Sequence, residues 1–189
     1  REISVFDKAT LHRRKWLIES IVTNEDFWLL GGVSNNFKLD EKDKNILLLL
    51  NSNARMPILE IAKEINLSSN AVIYRIKQLE KNEIIGTYRA IINREKFGIN
   101  YCKALIYYEA KTTQKENELI AYCRNSKFIV GISQNIGSWD IELEYEVPNY
   151  AIFHNELKRL RNNFPIIRTI ETIYIEQEYG ASYLPKKLI

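Results

Sequence analysis

Cysteine and histidine are scarce in this chain, with two of each among 189 residues. Cys102 and Cys123 match no metal or redox spacing. Each falls in an apolar-patterned stretch, where a small core residue is expected. His12 and His154 stand far apart, so zinc sites and Ser-His or Cys-His catalysis find no support. We therefore expect no catalytic residue, no metal and no cofactor. No apolar run approaches the roughly 20 residues of a membrane span. No signal peptide is visible, although the chain opens at Arg1 and not at Met, which suggests an upstream N-terminus. A cytoplasmic location is the default expectation. A strong charge of one sign is also missing: 27 Lys and Arg meet 24 Asp and Glu, a net of +3. That excludes a polybasic coat protein and makes any nucleic-acid contact depend on local placement of charge. The only strongly basic run is His12-Arg13-Arg14-Lys15. What is present is a 46% hydrophobic content, enough for packed cores, in a length that suits one large domain or two small ones.

The most informative stretch is 39–88, which reads as three short helices and the start of a β-wing. Asp40 suits an N-cap, with Asp43 three residues on as an Asp variant of the capping box. The run Ile46–Leu50 supplies the first helix with a buried face. Pro57 fits the first turn of a second helix, which carries Ile58, Ile61, Ala62 and Ile65 at helical spacing. Asn66-Leu67-Ser68 reads as a tight turn, and Ser68 is placed to cap the third helix. On that helix Val72, Ile76 and Leu79 share an inward stripe. The outward face then holds Asn70, Tyr74, Lys77 and Lys81, flanked by Ser69, Ile73 and Arg75. Amide and guanidinium groups can read base edges, while hydroxyl and ammonium groups grip phosphate. Helix–helix–turn–helix order is the layout that presents one helix to a major groove. The candidate DNA-binding set is therefore Ser68, Ser69, Asn70, Tyr74, Arg75, Lys77 and Lys81, with double-stranded DNA as the partner. The bland alternative is a solvated polar face on an ordinary amphipathic helix.

At these residues the chain resembles the Lrp/AsnC family of prokaryotic transcription regulators. The family pattern L-D-x-x-D-x-x-I-L-x-x-L is met by Leu39-Asp40, Asp43, Ile46-Leu47 and Leu50. Asn53-Ala54-Arg55, Leu67-Ser68, Val72, Arg75-Ile76 and Leu79-Glu80 continue the match. Glu83 departs from it, standing where the family usually has Gly. Ile73 replaces a common small hydroxyl residue. With the second half included, the resemblance covers about 150 residues.

After a linker at 94–100, residues 101–109 suit a strand. Gln114–Arg124 reads as a helix. Phe128–Ile136 and Trp139–Val147 read as strands joined by a hairpin at Gly137. Tyr150–Asn162 reads as a helix and Ile166–Tyr179 as a long strand. The order is βαββαβ, a ferredoxin-like arrangement. The expected fold class is thus α+β: a winged helix-turn-helix over 38–93, then a ferredoxin-like effector and dimerisation domain over 101–189. Ile129, Val130, Ile132 and Ile136 put bulk on both sides of one strand. We therefore expect an apolar sheet face beyond the helices, covered by a second copy in a homodimer or higher oligomer. The resemblance also implies small-molecule binding, an amino acid being the usual effector. Gly137-Ser138-Trp139-Asp140 matches the family's G-x-x-D signature, and Glu171-Thr172 its E-T pair. Gly137, Asp140 and Thr172 are the candidate effector residues, with Trp139 crowding the pocket. The competing reading is a hairpin in which Asp140 caps its own turn.

Residues 1–37 have no counterpart in a standard family member. Ala9-Thr10-Leu11 and Arg14-Lys15-Trp16-Leu17 align without gaps to Ala181-Ser182-Tyr183 and Lys186-Lys187-Leu188-Ile189. Fixed-period similarity signals tandem architecture, so the first 17 residues read as the tail of a preceding repeat. A simple N-terminal extension is the other reading. In either, Trp16, Phe27, Trp28, Leu29 and Leu30 are too apolar for a disordered tail. Two functional alternatives compete with a transcription regulator. One is a sirohaem-decarboxylase-like enzyme on the same two-domain fold; the other is a tandem scaffold that no longer reads DNA.

Overall fold

A computed structural model describes residues 4–17, 27–30, 37–109 and 112–178. The chain divides into two compact units. One combines the N-terminal arm with the residues from Ile91 to Gln177; the other, within Val33–Ala90, holds the helical domain.

In the helical unit, α1 spans Glu41–Ser52, α2 Ile58–Ile65 and α3 Ser69–Lys81. Each boundary has a local cause. The Asp40 side chain accepts from the Asp43 N–H at 2.8 Å, and the Asp43 carboxylate accepts from the Asp40 N–H at 3.2 Å, a closed capping box. Pro57 stands at the N-cap of α2. Asn66 then takes a left-handed φ of 53° and turns the chain sharply into α3; its small polar side chain tolerates that conformation. Ser68 caps α3, accepting from the Ala71 N–H at 3.3 Å. Ile46, Leu47, Ile61, Ala62, Ile65, Val72, Ile76 and Leu79 form one buried core.

The expected wing is not formed: among the described residues no strand follows α3 within this unit. The helix ends instead in a reversal, with Glu83 at φ 58° and the Ile84 N–H donating to Leu79 O at 2.9 Å. A wing needs a second run to pair with Ile84–Tyr88. The chain leads directly into a 3-10 turn at Glu95–Phe97 instead.

The sheet unit contains β3 (Asn100–Tyr108), α4 (Thr113–Asn125), β4 (Ile129–Gly137), β5 (Ile141–Val147), α5 (Tyr150–Asn163) and β6 (Ile167–Ile175). Strands β4-β5-β3-β6 lie side by side, all antiparallel, as the ferredoxin-like reading requires. The N-terminal arm adds two more strands. β1 (Ser4–His12) pairs with the outer edge of β4, and β2 (Phe27–Leu30) pairs with β1. The residues aligned with the arm at the other end, 181–189, lie outside the described ones.

Alternation along the strands assigns the two sheet faces. Cys102, Ala104, Ile106, Ile141, Leu143, Tyr145 and Val147 join Leu119, Ile120, Phe153, Leu157 and Leu160 of the helices in one core. Burial pushes the Cys102 thiol up to about 11 and the Cys123 thiol up to about 12, so both stay protonated. The opposite face is less apolar than expected from the sequence. It is mixed: Glu142, Glu144 and Glu146 of β5, Lys103 and Tyr101 of β3 and Ser133 of β4 share it with Leu105 of β3 and with Ile173 and Ile175 of β6. A register shift between Ile129 and Gly131 explains the difference. The bulge absorbs Val130, so the apolar run does not translate into two apolar faces.

Candidate nucleic-acid interface

The third helix is held from behind. Arg75 reaches across to α1, donating to Asp40 Oδ2 and Asp43 Oδ1, each at 2.7 Å. The Asp43 backbone N–H and the Arg75 guanidinium hold the Asp40 carboxyl below its usual range, and Asp43 and Asp40 in turn raise Arg75. Lys42 adds a second tie by donating to Ile65 O at the end of α2. A side chain clasped by two carboxylates is committed to orienting α3 and does not point with the outward stripe. Arg75, expected beside the reading face, is thus placed on the α1 side.

What remains outward is a stripe one turn apart at each step. Asn70, Tyr74, Lys77 and Lys81 are exposed, Ser68 is exposed at the cap, and Ser69 is half-buried. Ile73 sits on the same face at 38% exposure and Tyr74 at 64%. Two ammonium groups, an amide, a phenol and a hydroxyl in this order can contact both phosphates and base edges. Beyond α3, Tyr88 donates to Glu80 at 2.9 Å. Burial, then Glu80, raises its phenol to about 12.

The basic run in the arm has a structural use. Arg14 forms a paired contact with Glu146, Nε to Oε2 at 2.8 Å and Nη2 to Oε1 at 3.0 Å. Trp16 Nε1 donates to the same carboxylate at 3.0 Å, and Arg94 lies 3.4 Å from it. Lys15 donates to Arg124 O. Glu146 is fully buried, and a buried carboxylate persists only when paired and hydrogen-bonded. Trp16 also stacks edgewise on Phe97 at 6.2 Å. The arm is therefore locked to the sheet unit by pairings between residues more than a hundred positions apart.

The residues expected at an effector site are not adjacent within one chain. Gly137, at φ 143°, ends β4. Asp140 precedes β5, and its Oδ2 accepts from the Tyr108 N–H at 2.7 Å while its own N–H donates to Ile106 O at 2.9 Å. It thereby satisfies the end of β3. Thr172 faces Ala104 on β6, two strands away from β5 and further along. His12 contacts Thr10 Oγ1 at 3.0 Å and His154 contacts Tyr174 at 3.1 Å. Among the described residues no three His, Cys, Asp or Glu side chains cluster in a way that could hold a metal ion. No described helix is long and apolar enough to cross a membrane.

The chain is similar to known proteins. A model of the AsnC-type helix-turn-helix domain matches residues 39–80. The HTH-type transcriptional regulator LrpA of Pyrococcus horikoshii is 47% identical over 60 residues, 32% of this chain and 43% of LrpA. The HTH-type transcriptional regulator FL11 of Pyrococcus furiosus is 26% identical over 151 residues, 79% of this chain and 97% of FL11. A transcriptional regulator from Neisseria meningitidis, solved as an L-Met complex, superposes with a TM-score of 0.72 at 20% identity, covering 80% of this chain and 100% of that one. At that identity the superposition establishes the fold.

Proposed function

This chain belongs to the Lrp/AsnC family of transcription regulators, and from that premise we propose that it binds duplex DNA through the outward face of α3. The observation that carries the reading is the stripe Asn70, Tyr74, Lys77 and Lys81, exposed on a helix whose other side is fixed by its core and by Arg75. Lys77 and Lys81 grip phosphates and set register, Ser68 and Ser69 approach the backbone at the helix start, and Asn70 reads a base edge. Arg75 acts indirectly, by holding the angle of α3 against α1.

Two copies would present two such helices to adjacent major grooves, about one helical turn apart. We keep a homodimer in the proposal on that ground, and Leu105, Ile173 and Ile175 on the mixed sheet face add an apolar contribution to it. An amino-acid effector is proposed from the L-Met complex of the Neisseria relative. Because Gly137 and Asp140 lie apart from Thr172 within one chain, such a site would draw on more than one protomer or on other residues.

Fluorescence anisotropy with random and selected duplexes tests the DNA reading. We expect binding to both at low salt, with a selected sequence preferred. Absence of binding to any duplex at low salt would favour the scaffold reading. A titration with haem, read in the visible range, tests the enzyme alternative.

A further inference from the structure

Ile73 is the one aliphatic side chain on the outward stripe of α3, and the fold gives it nothing to do. It is not among the side chains packed on the helical core, and it stands 38% exposed. Its position is specific. Asn70 lies one turn before it and Lys77 one turn after, both exposed. A β-branched residue is a mediocre choice for an exposed helix position, because it loses side-chain freedom there. The neighbours already provide what a solvated or phosphate-binding face needs. An apolar group in that row matches one feature of the major groove that polar groups do not use, the C5-methyl of thymine.

We propose that Ile73 is a specificity-determining residue that packs on a thymine methyl group, next to a base read by Asn70. This rests on the DNA-binding reading and deepens it. Asn can bond an adenine edge bidentately through N6 and N7, and a residue three positions on along a groove-lying helix reaches a neighbouring step. Lys77, one turn further, holds the phosphate that fixes this register. Ile73 then buries apolar surface that the free protein leaves in water, and any base lacking the methyl leaves that surface poorly filled. The resulting preference is for a half-site with a thymine at one fixed place.

The test uses the whole chain and the best-binding duplex selected from a random pool. Each thymine is replaced in turn by deoxyuridine, which removes only the methyl. For the wild type, one thymine per half-site should weaken binding about fourfold on replacement, as for one buried methyl. For Ile73→Ala, the thymine and uracil duplexes should bind alike at that place, while the salt slope stays that of wild type. The substituted side chain is partly exposed, and an unchanged far-ultraviolet dichroism spectrum confirms folding. A wild type indifferent to every thymine methyl overturns the proposal. So does a methyl effect of equal size in Ile73→Ala. Failure of the wild type to retain any duplex at low salt overturns the proposal together with the DNA-binding reading on which it stands.

Discussion

Replacing Glu83 by Gly should stabilise the helical unit, and the size follows from backbone geometry. Glu83 has φ 58° and closes the C-terminus of α3, with its N–H donating to Glu80 O at 3.0 Å and the next N–H reaching back to Leu79 O. That left-handed position favours glycine, which has no Cβ to collide with the carbonyl. An L-residue there costs roughly 1–2 kcal/mol. Glycine relieves the cost but brings a more flexible unfolded chain, a penalty of about 0.5–1 kcal/mol. The net gain is about 0.5–1 kcal/mol, or roughly two- to fivefold in the opening equilibrium. Native-state amide exchange measures it without requiring the two units to melt together. The amides of Ile46, Val72 and Ile76 should exchange two- to fivefold more slowly in Glu83→Gly, while those of β3 and β5 keep their rates. Glu83→Ala should give no gain, because it keeps the Cβ. Equal protection in the Gly and Ala variants would refute the reasoning, since the gain would then come from removing a charge.

Lys77→Ala and Lys81→Ala should each weaken binding to all duplexes and lower the logarithmic salt slope by about one, read by anisotropy from low to high salt. Arg75→Ala should cost the helical unit about 1–2 kcal/mol, because Asp43, at 9% side-chain exposure, loses its partner. Asp40 has its pKa lowered from 3.8; its contribution is therefore complete above that value and is lost as pH falls through the folded value. Acid titration of helix content below pH 3.8 should accordingly show a shallower decline in Arg75→Ala than in wild type. Glu146→Ala should destabilise the sheet unit by about 3–5 kcal/mol in urea melts, since Arg14 and Arg94 would be left without their shared carboxylate. An amino-acid screen should reveal a ligand that raises the Tm; persistence of that shift in Asp140→Asn would separate Asp140 from the effector site.

Local chemistry made the helical unit legible. The Asp40–Asp43 box, Pro57 and Ser68 each act within a few residues, so their sequence spacing is their structure. The strand and helix order of the second unit was equally readable, because periodicity survives without knowledge of partners. Failures came where distant segments meet. Arg75 lies at the boundary of the outward arc, and only the two α1 carboxylates decide which way it turns. The bulge in β4 hides the mixed sheet face, because one absorbed residue reverses the alternation beyond it. Glu146 reads as an ordinary outward strand residue until Arg14, 132 positions away, is brought against it. The pairing of β1 with β4 was invisible for the same reason. Ile73 is visible in the sequence only as a departure from the motif; its exposure in the fold gives that departure a meaning.

The place of β1 sets the order in which this molecule can be assembled. Thr10 donates to Ile132 O across 122 residues of chain. At about 5–20 residues per second, β1 leaves the ribosome on the order of ten seconds before its partner strand exists. The three helices, whose contacts are local, can close during that interval. β1 is thus synthesised before β4 and seated only after it, and in the meantime the edge that will pair with β4 is open to neighbouring nascent chains. Slowing translation between residues 40 and 128 should lower the yield of folded protein, even though it lengthens the time available to the helical domain.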